Sequence, residues 1–175
     1  VLIAAAGVFA FFMGIGIAGD WQQVLLYFNQ VPFGVTDPIF GKDVSFFVFT
    51  LDVWELLRGW LFLLLLATTA AVAITAGVGW RGWNVRCGIR LHLAVLGALL
   101  LLLVAWQYRL EAYDLVYSTR GPVYGGTYTD INAQLPAYNL LALVTLVAAV
   151  MLVVVAAIGR GWKAIGGVIA AWVLV

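Results

Sequence analysis

The sequence predicts an all-α fold, a polytopic bundle of transmembrane helices with an interfacial helix and two ordered extracytoplasmic loops. Hydrophobic residues make up 65% of the chain and charged residues 10%, whereas an average soluble domain is roughly half apolar and about a quarter charged. The mean hydropathy is +1.08. All eight acidic residues lie in two stretches, residues 20–55 and 111–130, and the other breaks between apolar runs carry only basic charge. This pattern is typical of a protein that crosses a bilayer several times.

Apolar runs supply the predicted membrane helices. A helix needs about 20 apolar residues to cross the hydrocarbon layer, and a charge at its centre would cost about 2.5 to 3.5 kcal/mol on insertion scales. We therefore expect membrane helices at about residues 1–18, 53–79, 89–109, 136–158 and 164–175, the last of them truncated. The first run is interpreted as a helix and not as a signal peptide, because no basic leader precedes it. The chain is expected to be a fragment of a longer protein.

The charge alternation also predicts which side of the membrane each polar segment faces. Basic side chains concentrate in cytoplasmic loops, so residues 80–88 and 159–163 are predicted to be cytoplasmic. The acidic segments, residues 19–52 and 110–135, are then extracytoplasmic. The lipid bilayer is an expected partner. Nucleic acid is not, because a net charge of +1 provides no concentrated basic surface.

A short interfacial helix is predicted in the first outer segment. Trp21, Leu25 and Phe28 fall on one helical face, and amide side chains occupy the others. An apolar stripe of this kind suits a helix that lies between headgroups and acyl chains. Residues 44–50, VSFFVFT, are rich in β-branched and aromatic side chains. We expect them to be extended or to dip into the membrane.

A capping pattern predicts the start of the second membrane helix. Asp52 is followed three residues later by Glu55. At this spacing the first side chain caps the backbone N–H groups of the first helical turn, and the second bonds back to the cap residue. The helix is therefore expected to begin near Val53.

The second outer segment is rich in turn-forming residues. Gly121-Pro122 is followed by Gly125-Gly126, and both dipeptides favour tight turns. We expect the backbone of residues 118–136 to be sharply folded. Pro136 suits the first turn of the fourth membrane helix, where a missing N–H is tolerated.

Two polar stretches resemble a known family. Residues 33–49 read FGVTDPIFGKDVSFFVF, and residues 117–137 read YSTRGPVYGGTYTDINAQLPA. Together they resemble the bacterial integral membrane proteins grouped as uncharacterised protein family 0182. The resemblance implies a multi-pass protein of a bacterial cell membrane, whose membrane helices precede a large extracytoplasmic portion. It implies that this chain covers the later helices, with that portion as their partner, and it brings no established activity.

Charged residues of the two outer segments are the candidate interaction residues: Asp37, Lys42, Asp43, Asp114, Arg120 and Asp130. Carboxylates on glycine-shaped loops can hold a hard cation such as Ca²⁺, but solvated acids and helix caps are the favoured interpretation. Lys42 and Arg120 are predicted to pair with the aspartates and to lock the two loops together, in preference to forming an anion site.

Three other patterns have structural interpretations. Gly14, Gly16 and Gly19 match the dinucleotide pattern GxGxxG, but they end an apolar run and are interpreted as a helix-packing cluster. Cys87 has no second thiol in the chain with which to pair. His92 is interpreted as an interfacial residue, because no acid accompanies it at membrane depth. We therefore expect no catalytic set, cofactor or metal.

The favoured hypothesis is a membrane core that anchors and positions a large extracytoplasmic portion. The alternative is a transporter or channel subunit, which would require polar residues or broken helices at the bilayer midplane. The threonines that interrupt the apolar midplanes are Thr68, Thr69, Thr75 and Thr145. A third hypothesis is a membrane enzyme with an acidic site on its outer face, although no catalytic constellation supports it.

Overall fold

The chain folds into helices joined by short irregular segments. This computed structural model describes residues 2–78, 87–119, 125–159 and 162–174. The α-helices within those residues are α1 (Leu2–Ala18), α2 (Trp21–Phe28), α3 (Leu51–Val78), α4 (Cys87–Asp114), α5 (Leu135–Ala157) and α6 (Trp162–Val173). An isolated antiparallel bridge joins Thr36 to Asp43. The predicted all-α fold is confirmed.

Three helical stretches are long and apolar enough to cross a membrane: Phe46–Ala76, Gly88–Tyr117 and Asp130–Ala157. The first two α-helices meet that criterion only as a pair, and their axes are bent by 57° at the break between them. In α6, residues Lys163–Val173 form a shorter apolar helix. Together these helices occupy the five apolar runs of the sequence.

The chain forms two compact units, Val1–Trp60 and Leu61–Val175. In the first unit, local hydrogen bonds shape the break between α1 and α2. The N–H of Asp20 donates to the carbonyl of Ile17 at 2.9 Å, and the carbonyl of Asp20 accepts from the N–H of Gln23 at 3.1 Å. Asp20 thus bonds to the last turn of α1 and to the first turn of α2. The chain changes direction here without leaving these two backbone groups unpaired.

The helical run that contains α3 begins earlier than predicted. Residues 44 and 45 are already helical, a π-helical turn follows at Phe46–Thr50, and α3 continues from Leu51. The expected extended conformation of residues 44–50 is therefore wrong, and so is the expected cap at Asp52. The prediction was based on the β-branched and aromatic composition of this segment. Phe47 and Thr50 are buried in the structure, and this packing overrides the local propensity for extended backbone.

In the second unit, α4 and α5 pack against each other in opposite directions. A Cβ built on Gly97 of α4 would lie 3.1 Å from Cδ2 of Leu152 of α5, so the two backbones approach closely. Tyr108 stacks on Tyr138 with ring centroids 6.4 Å apart. The core shared with α6 is made of small and branched residues: Ala94, Ala98, Ala149, Leu152, Val155, Ala156 and Ile165.

A second antiparallel pair is formed by α5 and α6. Gly159 has a φ of +80°, and its N–H donates to the carbonyl of Ala156 at 3.2 Å. This left-handed conformation suits glycine and ends the helix sharply. Further along the pair, Trp172 Nε1 donates to Thr145 Oγ1 at 2.9 Å, and Thr145 Oγ1 donates to the carbonyl of Leu141 at 2.7 Å. Thr145 is only 1% exposed, so this bond lies inside the helix packing.

The second outer segment is more helical than predicted. A 3₁₀ turn at Leu115–Tyr117 extends α4, and helix resumes at residue 128 with a π-helical turn at Asp130–Gln134 before α5. The expectation of sharply folded backbone is therefore wrong from residue 128 onward. Pro136 does lie in the first turn of α5. The wider π turn accommodates Pro136, which has no N–H to donate and a ring that crowds the preceding helical turn.

An arginine of α4 lies against α5, or against the segment just after it, at each end of the α4–α5 pair. At one end, a Cβ built on Gly159 would lie 3.6 Å from Nη2 of Arg90. At the other end, the guanidinium of Arg109 donates to Asn139 Oδ1. Arg109 lies five residues before Asp114, at which α4 ends. Most of the predicted inner loops, residues 80–88 and 159–163, lie outside the described residues.

We expect the bond between Trp172 and Thr145 to stabilise the docking of α6 on α5. Interhelical hydrogen bonds of this kind average about 0.6 kcal/mol in double-mutant cycles and reach about 1.7 kcal/mol. Trp172→Phe, Thr145→Val and the double variant, compared by thermal unfolding of the purified full-length protein, should show a coupling energy in that range. Thr69→Val is the matched control, because Thr69 Oγ1 bonds to the carbonyl of Leu65 in its own helix. Additive effects of the two substitutions would contradict a direct interaction.

Candidate functional site

Asp43 organises the first outer loop. Its Oδ1 accepts from the N–H of Phe33 at 3.1 Å and from the N–H of Ser45 at 2.8 Å, and its Oδ2 accepts from the N–H of Gly34 at 2.9 Å. Its carbonyl accepts from the N–H of Phe46 at 2.9 Å. Asp43 is therefore the N-cap of the helical run that leads into α3, and it also ties the start of the loop to that helix.

The carboxylate of Asp43 is stabilised in its charged form. The backbone N–H of Ser45 is the largest influence, and with the Ser45 hydroxyl and the N–H groups of Phe33 and Gly34 it holds the pKa of Asp43 below its usual range. Hydrogen bonds to a charged carboxylate favour ionisation. Both oxygens are committed to backbone N–H groups. The structure thus supports the helix-cap interpretation of this residue over the cation interpretation.

Asp37 shapes the turn at the tip of the same loop. Its Oδ2 accepts from the N–H groups of Ile39 at 2.9 Å and Phe40 at 2.7 Å. Its backbone N–H donates to the carbonyl of Lys42 at 2.8 Å, and its carbonyl accepts from the N–H of Gly41 at 2.9 Å. Gly41 has a φ of +63°, which a glycine adopts without strain. Asp37 therefore serves as a turn-forming residue.

Aromatic side chains fasten this loop to the following helix. Phe33 contacts Phe49 with ring centroids 5.8 Å apart, and Phe40 contacts Phe47 at 6.2 Å. Lys42 Nζ lies 5.3 Å from the ring centroid of Phe46, a cation–π distance. Within this loop Lys42 faces a ring, and the neighbouring carboxylates bind backbone N–H groups. That Lys42 pairs with an aspartate to lock the two loops together stays a prediction.

Asp130 has a comparable role in the second unit. Its Oδ2 accepts from the N–H and from the hydroxyl of Thr127, each at 2.9 Å, and its own N–H donates to Thr127 Oγ1 at 3.3 Å. These reciprocal bonds form a capping box at the start of the helical run that leads into α5. Asp130 is 1% exposed. Its carboxylate is therefore a buried part of the helix start and not a solvated loop acid.

Asp114 lines a polar cavity of about 240 Å³ at the C-terminal end of α4. Glu111, one helical turn earlier, also lines the cavity, and its Oε1 accepts from Gln107 Nε2 at 2.6 Å. The remaining lining residues are Leu115, Tyr117, Ser118, Thr119 and Tyr138. Asp114 was a candidate from the sequence, but the cavity was not predicted, because Tyr138 comes from α5 and lines the cavity only through helix packing.

A second acidic groove lies in the first unit. Asp20, at the break before α2, and Asp52 and Glu55, in the first turns of α3, line a space of about 400 Å³ together with Gln23 and Leu56. The spacing of Asp52 and Glu55 predicts a helix cap instead. Their spacing of three residues could have indicated a shared helix face, but no sequence signal pointed to Asp20.

The structure groups the candidate residues within each unit. Asp37, Lys42 and Asp43 belong to one loop of the first unit, and Asp114 and Asp130 belong to the second. Arg120 lies outside the described residues. Within the described ranges, no three histidine, cysteine or acidic side chains come together in an arrangement that could hold a metal ion. The prediction that these residues contact a partner stays a prediction.

The midplane threonines bond within their own helices. The hydroxyls of Thr68, Thr69 and Thr145 each donate to the carbonyl four residues earlier, at 2.7 Å, and that of Thr75 does so at 2.9 Å. A hydroxyl bonded in this way is satisfied without a neighbouring helix or a solute. Gly14 and Gly16 lie within α1. These observations do not favour the transporter hypothesis or a dinucleotide site.

Replacing Asp43 by Asn should loosen the first outer loop. An amide cannot accept at both terminal atoms, so bonds from Phe33, Gly34 or Ser45 are lost. A nitroxide at Thr36 of the full-length protein should become more mobile by electron paramagnetic resonance. Asp52→Asn is the matched control and should leave that spectrum unchanged.

The same label should respond to acid. The pKa of Asp43 is lowered by folding, so its contribution to loop order is complete above the ordinary carboxyl pKa of about 3.9 and is lost as the pH falls through the lowered value. Label mobility should therefore be constant from neutral pH to about pH 4 and rise only below it. A rise centred near neutral pH would contradict this role for Asp43.

Comparison with known proteins places the chain in a bacterial family. The sequence model of the uncharacterised protein family UPF0182 matches residues 1–175. A UPF0182 protein of Nostoc sp. is 41% identical over 83% of this chain, and one of Desulforamulus reducens is 42% identical over 78%. One of Kocuria rhizophila is 40% identical over 93% of the chain. No solved structure matches.

The matched region is a small part of each relative. The chain spans 15% of the length of the Nostoc and Desulforamulus proteins and 17% of the Kocuria protein. Because these relatives are far longer, the chain corresponds to a fragment of such a protein. The resemblance carried by the two polar stretches is confirmed. The chain belongs to the uncharacterised protein family UPF0182.

Proposed function

We propose that this chain is the membrane-embedded core of a longer bacterial integral membrane protein, and that it anchors and positions a large extracytoplasmic portion. The observation that carries the proposal is that acidic side chains lie at only one end of the α4–α5 pair, where Arg109 accompanies them. Arg90 and Gly159 meet at one end, while Glu111 and Asp114 lie at the other. Basic residues favour the cytoplasmic side. The acidic end of the pair is then the extracytoplasmic end.

Exposure of apolar side chains supports insertion in lipid. None of the most apolar window of Phe46–Ala76 is buried within the protein. On α5, Leu143, Val147 and Val150 are 58%, 56% and 63% exposed. Soluble monomers rarely expose contiguous apolar patches larger than a few hundred Å². Hydrocarbon chains, or further helices of the longer protein, are the surroundings that suit these surfaces.

Order in the outer loops supports a positioning role. Asp43 and Asp37 hold the first loop with backbone hydrogen bonds, and Thr127 and Asp130 hold the start of the second helical run. A surface fixed in this way loses little conformational entropy when a partner docks. In the relatives, most of the chain lies outside the matched region. That remainder is the partner that these loops would contact.

Cysteine labelling in intact cells tests the orientation. In the full-length protein with Cys87→Ser, a membrane-impermeant maleimide should react with Thr36→Cys and Thr119→Cys. Lys163→Cys should react only after the cells are permeabilised, because the basic end is predicted to be cytoplasmic. All three positions are exposed. Reaction of Lys163→Cys in intact cells, with protection of Thr119→Cys, would reverse the proposed orientation.

Photo-crosslinking tests the anchoring role itself. Benzoylphenylalanine placed at Lys42 or Tyr128 of the full-length protein should crosslink to the extracytoplasmic portion, since both positions lie on the proposed outer surface. Tyr128 is 83% exposed, which makes it an accessible probe. The same group at Val147 or Ile74, both exposed on apolar helices, is the matched control and should give no such product. Equal yields at all four positions would contradict docking on the loops.

A further inference from the structure

Most apolar residues of α2 are exposed, although Val24 and Tyr27 are half-buried. Trp21, Leu25 and Phe28 are 58%, 53% and 77% exposed. Gln23 and Tyr27 are half-buried, and Gln23 lines the groove with Asp52 and Glu55. A surface helix of a soluble protein has the opposite arrangement, with its apolar stripe toward the core. The surroundings of this helix therefore have to be apolar on the outward side.

The same apolar surface continues past the end of α2. Val31, Phe33 and Val35 alternate along the chain and are 67%, 53% and 60% exposed. The side-chain amide of Asn29 lies between the two parts, and its Nδ2 donates to the carbonyl of Leu25 at 2.8 Å. This bond satisfies one carbonyl at the helix end. The helix and the following segment together present a run of large apolar side chains.

The geometry of the break matches the thickness of a membrane interface. A helix of eight residues is about 12 Å long. At 57° to α1, it advances only about 6 to 7 Å along the α1 axis, by the same rise per residue. The interfacial layer on each side of the hydrocarbon is about 5 to 8 Å thick. A straight continuation of α1 would pass through that layer, whereas the bent helix stays within it.

The charge of this segment indicates which lipid headgroups it suits. The first basic residue of the chain is Lys42, so neither α2 nor residues 31–35 can attract anionic headgroups. We propose that α2 and residues 31–35 form one surface that inserts into a single leaflet of neutral lipid and holds the first outer segment against the bilayer. The inference rests on the membrane embedding proposed above. The surface is proposed to contact lipid. The experiment below distinguishes lipid from a protein partner or a second copy of the chain.

Depth measurements on the full-length protein test this surface. Nitroxides are placed at Leu25→Cys, Val35→Cys, Lys42→Cys and Val147→Cys, in the Cys87→Ser background, in phosphatidylcholine nanodiscs. The labels at Leu25 and Val35 should collide several-fold more with oxygen than with a water-soluble nickel chelate, at about 5 to 10 Å depth. Val147 should lie deeper, and Lys42 should favour the nickel chelate. Adding anionic lipid should leave the depths at Leu25 and Val35 unchanged.

The controls separate this inference from the proposed function. If Leu25 and Val35 favour the nickel chelate while Val147 favours oxygen, the inserted surface is wrong and the membrane core stands. If Val147 also favours the nickel chelate, the membrane core is wrong as well. Shielding of Leu25 from both reagents would show that protein covers this face and would overturn the assignment to lipid. A depth that increases with anionic lipid would overturn the neutral-lipid claim.

Discussion

The structure depends on one constraint, which is that a backbone polar group in hydrocarbon must find its hydrogen-bond partner within the protein. Helices satisfy this along their length, and the threonines of the apolar stretches satisfy it by bonding to carbonyls of their own helices. The constraint is hardest to meet where a helix begins, because its first N–H groups have no helical partner. Side chains supply partners at two of the described helix starts.

At two helix starts, side chains bond to the free backbone N–H groups in similar ways. Asp43 caps the run that leads into α3, and Thr127 with Asp130 caps the run that leads into α5. A π-helical turn follows each cap, at Phe46–Thr50 and at Asp130–Gln134. The capping residues also bond to the adjoining loop, as Asp43 does to Phe33 and Gly34. The same residues therefore order both the helix starts and the segments before them. Asp43 and Asp130, first considered as binding groups, thus hold helix starts in place. That they also contact a partner stays a prediction.

This arrangement indicates which surfaces to test first for the function of the family. The ordered outer segments contain the polar cavity near Asp114 and the acidic groove near Asp20, while the apolar helices satisfy their own hydroxyls. The exposed apolar residues of α2 add a surface of a different kind, which suits lipid. Taken together, these features favour a core whose outer face is held at a fixed height and orientation for a larger partner.

Hydropathy and charge, which are local properties, determined the helical fold, the approximate positions of the apolar helices and the family resemblance. They also identified Trp21, Leu25 and Phe28 as one face of a short helix. Tertiary structure alone decided that this face points outward, that Asp43 and not Asp52 is the cap, and that Lys42 lies over Phe46. It also brought Tyr138 beside Asp114, and Asp20 beside Asp52. Each of these features depends on contacts between side chains that are distant in the sequence. The periodicity of residues within one segment does not show which of those contacts form.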